Sequence, residues 1–276
     1  MRLAISNIAW DPSEDQAVAE LLARFAVDAI DIAPSKYFPE PAKASAADIA
    51  RLKAWWAERG IAITGMQALL FGTSGLNVFG SPPAQAALLE HLSHVCRIGG
   101  GLGATRLVFG SPKNRDRGGL DDEQTLATAV AFFRQLGDIA QANGVIVCLE
   151  PNPTCYGANF MISSAETASV VRAVAHPAIR MQLDTGAMTI NGEAPLQVLD
   201  DCAELIGHIH ASEPDLLPLG DGQTAHPAMA AAIKRHLPQH LVSIEMVATK
   251  DEAHLVAIER ALTVVTAVYR DPEVKP

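Results

Sequence analysis

Four polar residues each close an apolar run in the C-terminal half of the chain. Glu150 ends Val-Ile-Val-Cys-Leu-Glu, Asp184 ends Ile-Arg-Met-Gln-Leu-Asp, His210 ends Leu-Ile-Gly-His-Ile-His and Glu245 ends Leu-Val-Ser-Ile-Glu. Each run reads as a buried strand, and each ends in a group that is costly to bury without a partner. Three carboxylates and one imidazole form a competent ligand set for a divalent cation. The oxygen-rich donors point first to Mn²⁺, with Mg²⁺, Co²⁺ and Zn²⁺ as alternatives.

The elements that must position these groups repeat along the whole chain. Short apolar runs begin near Leu3, Ala29, Ile61, Thr105, Val145, Ile179, Leu205 and Leu241, and each is followed by a segment long enough for a crossover helix. Ser45–Asp48 and Ser163–Glu166 have capping-box spacing, and the first opens a helix carrying Ile49, Leu52 and Trp56. Gly60 and Gly144 stand where a left-handed helix stop is expected. Residues 121–141 carry Leu126, Val130, Phe133 and Leu136 at near-helical spacing. Eight strand–helix units predict one α/β domain over 1–276, a (β/α)8 TIM barrel. A doubly wound open sheet is the competitor, but no GxGxxG turn follows the first strand.

That architecture explains the position of the four residues. Chemistry in such barrels gathers at the C-terminal ends of the strands. Side chains alternate along a strand, so Cys148 and Glu150, Gln182 and Asp184, His208 and His210, and Ser243 and Glu245 share faces, the later residue nearer the mouth.

Composition narrows the classes of function. With 49% hydrophobic and 19% charged residues, the chain can fill a sizeable core and is not a disordered one. A net charge of −10 argues against a surface built for nucleic acid. No run reaches the ~18 apolar residues of a membrane span, and the N-terminal apolar run is too short for a secretory signal. Cys96, Cys148, Cys155 and Cys202 form no CxxC pair and read as reduced, mostly buried thiols. The expectation is a cytoplasmic protein with a small-molecule partner, neither nucleic acid nor membrane, and compatible with a homo-oligomer.

Leu149-Glu150-Pro151, Leu183-Asp184-Thr185, His208-Ile209-His210 and Ile244-Glu245, in this order of units, resemble the xylose isomerase-like barrels. That superfamily of sugar-phosphate isomerases and epimerases also includes endonuclease IV. The resemblance implies that Glu150, Asp184, His210 and Glu245 bind a divalent metal. It further implies that Glu150 and Glu245 exchange a proton at a carbon next to the carbonyl of a sugar or small hydroxy-carbonyl compound. Two positions depart from the epimerase pattern. Ala187 stands where those enzymes carry a His, and 211–222 lack the Arg expected beyond the metal His. Both groups contact sugar in the relatives, so the departures bear on the substrate rather than on the metal.

Other positions have weaker claims. Asp184 in Asp-Thr-Gly also suits a helix N-cap. His208, one layer deeper than His210, reads as a packed or supporting histidine. Asn7 and Gln67 close the first and third strands and could reach a hydroxyl or simply bond backbone. Lys113 and Arg115 lie in a basic loop that reads first as solvated surface and second as an anion contact. Asn152, Tyr156 and Asn159 follow Glu150 and could reach substrate, and His226 is divided evenly between helix start and pocket wall. Two further functions compete with the isomerase or epimerase reading: a non-catalytic sugar-binding barrel, and an endonuclease IV-like metal nuclease, against which the acidic balance and the short ligand list count.

Overall fold

The computed structural model describes residues 1–270; the last six residues of the expected domain lie outside them. Eight parallel strands close on themselves in chain order, β1 (Leu3–Ser6), β2 (Ala29–Ile32), β3 (Ala62–Met66), β4 (Arg106–Phe109), β5 (Ile146–Leu149), β6 (Ile179–Asp184), β7 (Ile206–Ser212) and β8 (Val242–Glu245). The seam is made by β1 and β8, with Leu3 opposite Val242 and Ile5 opposite Ile244. This is the expected (β/α)8 barrel, and the strands begin within one residue of the positions read from the sequence.

Helices cover the outside: α1 (Asp15–Arg24), α2 (Ala46–Ala57), α3 (Pro82–Leu102), α4 (Asp122–Ala142), α5 (Ser164–Val174), the short α6 (Thr185–Asn191), α7 (Pro195–Cys202), α8 (His226–His236) and α9 (His254–Val268). Ser45 and Asp48 form a full capping box on α2. The Ser163 side chain accepts from Glu166 N on α5, but Glu166 reaches past it to Ile162 N, so the second box is half formed. Gly60 and Gly144 adopt φ of 72° and 68°, the left-handed stops expected after their helices. In α4 the buried stripe runs through Ala129, Phe132, Phe133, Leu136 and Ala140. Leu126, near the start of α4, is 41% exposed although it shares the spacing of that stripe.

The core lies between barrel and helices, where Trp10, Trp56, Phe109, Phe133 and Tyr269 are fully buried. Inside the barrel the packing is unusually polar. Asp31, Gln182, His208, His210 and Ser243 are all buried. Among the described residues no helix is long and apolar enough to cross a membrane. Cys96, Cys148 and Cys202 are buried free thiols, and Cys155 is an exposed one.

Candidate metal centre

The ends of β5, β6, β7 and β8 bring Glu150, Asp184, His210 and Glu245 together. One donor atom from each lies within 4.8 Å of all the others, and all four residues are buried. His210 Nδ1 stands 3.2 Å from Glu245 Oε2 and 3.6 Å from Glu150 Oε1. Register explains the convergence. His210 pairs with Asp184 on one side, and two residues later Ser212 pairs with Glu245 on the other. A glycine makes the room: a Cβ on Gly110, just past β4, would stand 2.0 Å from Glu150 Oε2.

Each carboxylate is oriented by neighbours. Gln67 Nε2 donates to Glu245 Oε1 at 2.5 Å. Asn152 Nδ2 donates to Glu150 Oε2 at 3.2 Å. Asn152 is itself aimed by Arg115, whose guanidinium donates to Asn152 Oδ1 and, at 2.6 Å, to the Glu150 carbonyl. Asp184 accepts from Ala187 N at 2.6 Å and from Ser212 Oγ at 2.8 Å. It therefore caps α6 and joins the cluster at once, so the two readings of this residue do not exclude each other. Below it Gln182, with its amide oxygen toward β7, accepts from His210 N at 3.1 Å.

Three carboxylates packed around one imidazole repel one another. Burial, then the charges of Glu245 and Glu150, push the Asp184 carboxyl up to about 8. Burial alone would lower the His210 imidazolium, but Glu245 and Glu150 outweigh it and hold the ring well above its ordinary value. Burial likewise works against the Glu245 carboxylate, and the His210 charge reverses the effect and lowers it. Glu150 Oε1 is buried with no hydrogen-bond partner. A divalent cation would relieve this crowding and occupy the free oxygen, so the residues present fit a hard or borderline metal ion.

The three carboxylates of the cluster, Glu150, Asp184 and Glu245, line the floor of a 770 Å³ cavity at the C-terminal mouth of the barrel, with His210 buried beneath them. Gln67, Lys113, Asn152 and Tyr156 line it, as does Ala187. A second cavity, of 650 Å³, lies on the outer surface beside α1 and α2, away from these carboxylates.

The remaining residues singled out from the sequence lie elsewhere. Asn7 spends its carboxamide oxygen on Ala33 N at 2.7 Å, a brace between β1 and β2. His208 is buried beneath the centre against Asp31. His226 is 3% exposed and sits behind the cavity wall, with Nε2 at 2.9 Å from Glu213 Oε1 and Nδ1 at 2.8 Å from the Tyr269 hydroxyl. Asn159 bonds Asp116 on the far side of its loop. The basic loop divides: Lys113 is exposed at the cavity, whereas Arg115 is 1% exposed and belongs to the support of Glu150, not to a solvated surface. Burial lowers the Arg115 guanidinium to about 10. Sequence reasoning missed Asp31, Gly110 and Glu213. Glu213 is a cavity-lining carboxylate held by the backbone N–H groups of Gly220 and Thr224.

The xylose isomerase-like TIM barrel family model matches residues 19–263. The chain belongs to this family. A D-psicose 3-epimerase from Clostridium cellulolyticum H10, crystallised with D-tagatose, superposes with a TM-score of 0.81 at 19% identity, covering 98% of this chain and 100% of that one. An L-ribulose 3-epimerase gives a TM-score of 0.82 at 17% identity, with 100% and 99% covered. An IolI protein with a bound zinc atom gives 0.75 at 18%, with 98% of each chain covered. At such identities these likenesses concern the fold. No curated protein matches the chain.

Proposed function

We propose that this chain is a divalent-metal-dependent isomerase or epimerase that moves a proton next to the carbonyl of a sugar or small hydroxy-carbonyl compound. The observation that carries this reading is the approach of Glu150 and Glu245 to the same imidazole nitrogen, from β5 and β8, at the floor of an open cavity. Strands three steps apart are separated by roughly 135° around an eight-strand barrel, so the two carboxylates face a bound substrate from different sides.

Glu150, Asp184, His210 and Glu245 would hold the cation, with Mn²⁺ as the first candidate and Mg²⁺, Co²⁺ and Zn²⁺ as alternatives. The cation would supply Lewis-acid polarisation of the carbonyl and lower the cost of charge that develops on its oxygen. The proton is handled by the chain itself. One glutamate takes it from the carbon as a carboxylate, and the other, entering as the acid, returns a proton to the opposite face for epimerisation. The Gln67 and Asn152 amides hold the two carboxylates in position for this exchange. Several neighbours in fold are sugar epimerases by name, acting on psicose, ribulose or a 3-keto-glucoside, which supports the substrate class.

A non-catalytic sugar-binding barrel is favoured by one observation, Ala187 on the cavity wall where the epimerases carry a His. A metal nuclease has less support. Beyond the four-donor centre, the other three-donor group among the described residues is buried inside the barrel, out of reach of a nucleic acid.

Glu245→Gln separates these readings. It keeps a neutral oxygen and nearly the same volume but removes the base. Bound Mn²⁺, assayed by metal analysis, should persist with reduced affinity. Solvent-deuterium exchange into a ketose panel should fall by about 10²-fold or more, the usual worth of a positioned acid–base group. Full exchange activity in this variant would rule out a proton-transfer role for Glu245. The absence of exchange by the metal-loaded wild type on every ketose would favour the binding-protein alternative.

A further inference from the structure

Beneath the four-donor centre the barrel buries a second cluster. Asp31, His208 and His210 each offer a donor atom within 4.8 Å of the others, and all three are buried. Asp31 is 1% exposed and has no Lys or Arg partner among the described residues. Its Oδ2 lies 2.7 Å from His208 Nε2 and 4.0 Å from His210 Nε2. Its Oδ1 accepts from Thr64 Oγ1 at 3.1 Å.

The sheet is deformed to deliver this carboxylate. The register of β2 against β3 shifts between Ile30 and Asp31, and an irregularity of this kind re-aims a side chain. Gly65 on β3 leaves the space, since a Cβ there would stand 2.5 Å from Asp31 Oδ1 and 2.8 Å from Asp31 Cγ. Burying a carboxylate costs several kcal/mol, and an apolar side chain would fill this layer at lower cost. Packing therefore does not account for Asp31.

His210 supplies the account. Its Nδ1 faces Glu150 and Glu245, with the Gln182 amide oxygen also at 3.2 Å, whereas its Nε2 is buried with no hydrogen-bond partner and has Asp31 as its facing carboxylate. A neutral imidazole carries one N–H. The nitrogen that holds a metal must be the unprotonated one, and a carboxylate on the other nitrogen fixes that tautomer and the ring angle.

We propose that Asp31 is a positioning residue for the metal centre. Its carboxylate, 4.0 Å from Nε2, favours the proton on that nitrogen and leaves the Nδ1 lone pair to the centre formed with Glu150, Asp184 and Glu245. His208, packed edge-on against His210 with ring centroids 5.2 Å apart, bonds the same carboxylate oxygen at 2.7 Å, while Thr64 holds the other oxygen, and together they keep the carboxylate from swinging away. This inference rests on the reading of the four-donor cluster as a metal centre.

The test is Mn²⁺ titration calorimetry on the full chain, as wild type and as Asp31→Asn, with the visible spectrum of each protein at saturating Co²⁺. Asp31→Asn should weaken Mn²⁺ binding by about 10–100-fold, the usual effect of removing the partner of a ligating histidine. It should also shift the Co²⁺ ligand-field bands, which a purely structural residue would leave alone once the site is full. If Asp31→Asn does not fold, Thr64→Val decides. It removes one hydrogen bond to the same carboxylate and should weaken Mn²⁺ binding by about 2–10-fold. Wild-type affinity and an unchanged Co²⁺ spectrum in Asp31→Asn, or unchanged affinity in Thr64→Val where only that variant folds, would overturn the inference and leave the metal reading intact. A wild type that binds no Mn²⁺ would overturn both. Two Mn²⁺ per wild-type chain would make Asp31 a ligand instead and overturn its positioning role.

Discussion

Gln67 Nε2 lies 2.5 Å from Glu245 Oε1, a hydrogen bond that joins the end of β3 to the end of β8 across the barrel mouth. Both residues are buried, at 5% and 8% exposure. The amide can donate to this carboxylate but cannot take a proton from it. Gln67 therefore fixes the direction of the Glu245 lone pairs without competing for the substrate's proton. Asn152 stands in the same relation to Glu150, at 3.2 Å.

Removing the Gln67 amide should separate positioning from metal binding. In Gln67→Leu, Glu245 loses a charge-assisted hydrogen bond of about 1.5–3 kcal/mol. If that interaction is needed at the moment of proton transfer, deuterium exchange into substrate should fall by roughly 10–100-fold. Mn²⁺ affinity should change by less than the exchange rate, because Glu245 Oε2, the oxygen facing His210, is not the one that Gln67 holds. An exchange rate within twofold of wild type would show that Glu245 needs no such support.

Gly110→Ala tests whether the room for Glu150 is essential. The added Cβ would fall 2.0 Å from Glu150 Oε2, inside any allowed contact, so the carboxylate must leave its place. Gly110 does not occupy the left-handed region, and alanine is compatible with its backbone. Thermal stability should therefore change little, while Mn²⁺ affinity falls by at least about tenfold through loss of one ligand. Calorimetric titration together with a melting curve reads both quantities. Unchanged affinity would mean that Glu150 is not needed as a ligand.

The barrel and the convergence of its four candidate ligands were legible because burial and charge conflict visibly in one dimension. Glu150, Asp184, His210 and Glu245 each follow an uninterrupted apolar run, and a charge at the end of a buried strand stands out. Gln67 and Asn152 were visible for the same reason, as polar residues just past strand ends. Asp31 was not, because it sits inside Ala-Ile-Asp-Ile and only a register shift against β3 turns it toward His208. Gly65 and Gly110 act by the volume they leave empty, which no local pattern encodes. Arg115 belongs to a loop whose charge density reads as surface, and it is buried only because Glu150 O and Asn152 Oδ1 await it 35 and 37 residues away. Long-range partners of this kind are set by the fold and not by the neighbouring sequence.

The crowding of carboxylates makes metal binding dependent on pH in a stated direction. In the metal-free protein Asp184 keeps its proton until about pH 8, and His210 stays charged well above its ordinary range. In the unfolded chain both groups release their protons earlier, near 3.9 and 6.5. Between about pH 6.5 and 8 the metal-free fold therefore binds more protons than the unfolded chain, and these two groups lower its stability as pH rises. A cation needs Asp184 ionised and His210 neutral, so binding expels these protons and strengthens as pH rises toward 8. Mn²⁺ affinity should increase by about tenfold or more per pH unit between 6.5 and 7.5, and the rise in melting temperature on adding Mn²⁺ should be larger at pH 8 than at pH 6.5. The enthalpy of Mn²⁺ binding should also vary with the ionisation enthalpy of the buffer, which counts the protons released. A binding constant independent of pH over this range would mean that Asp184 and His210 do not ligate the ion.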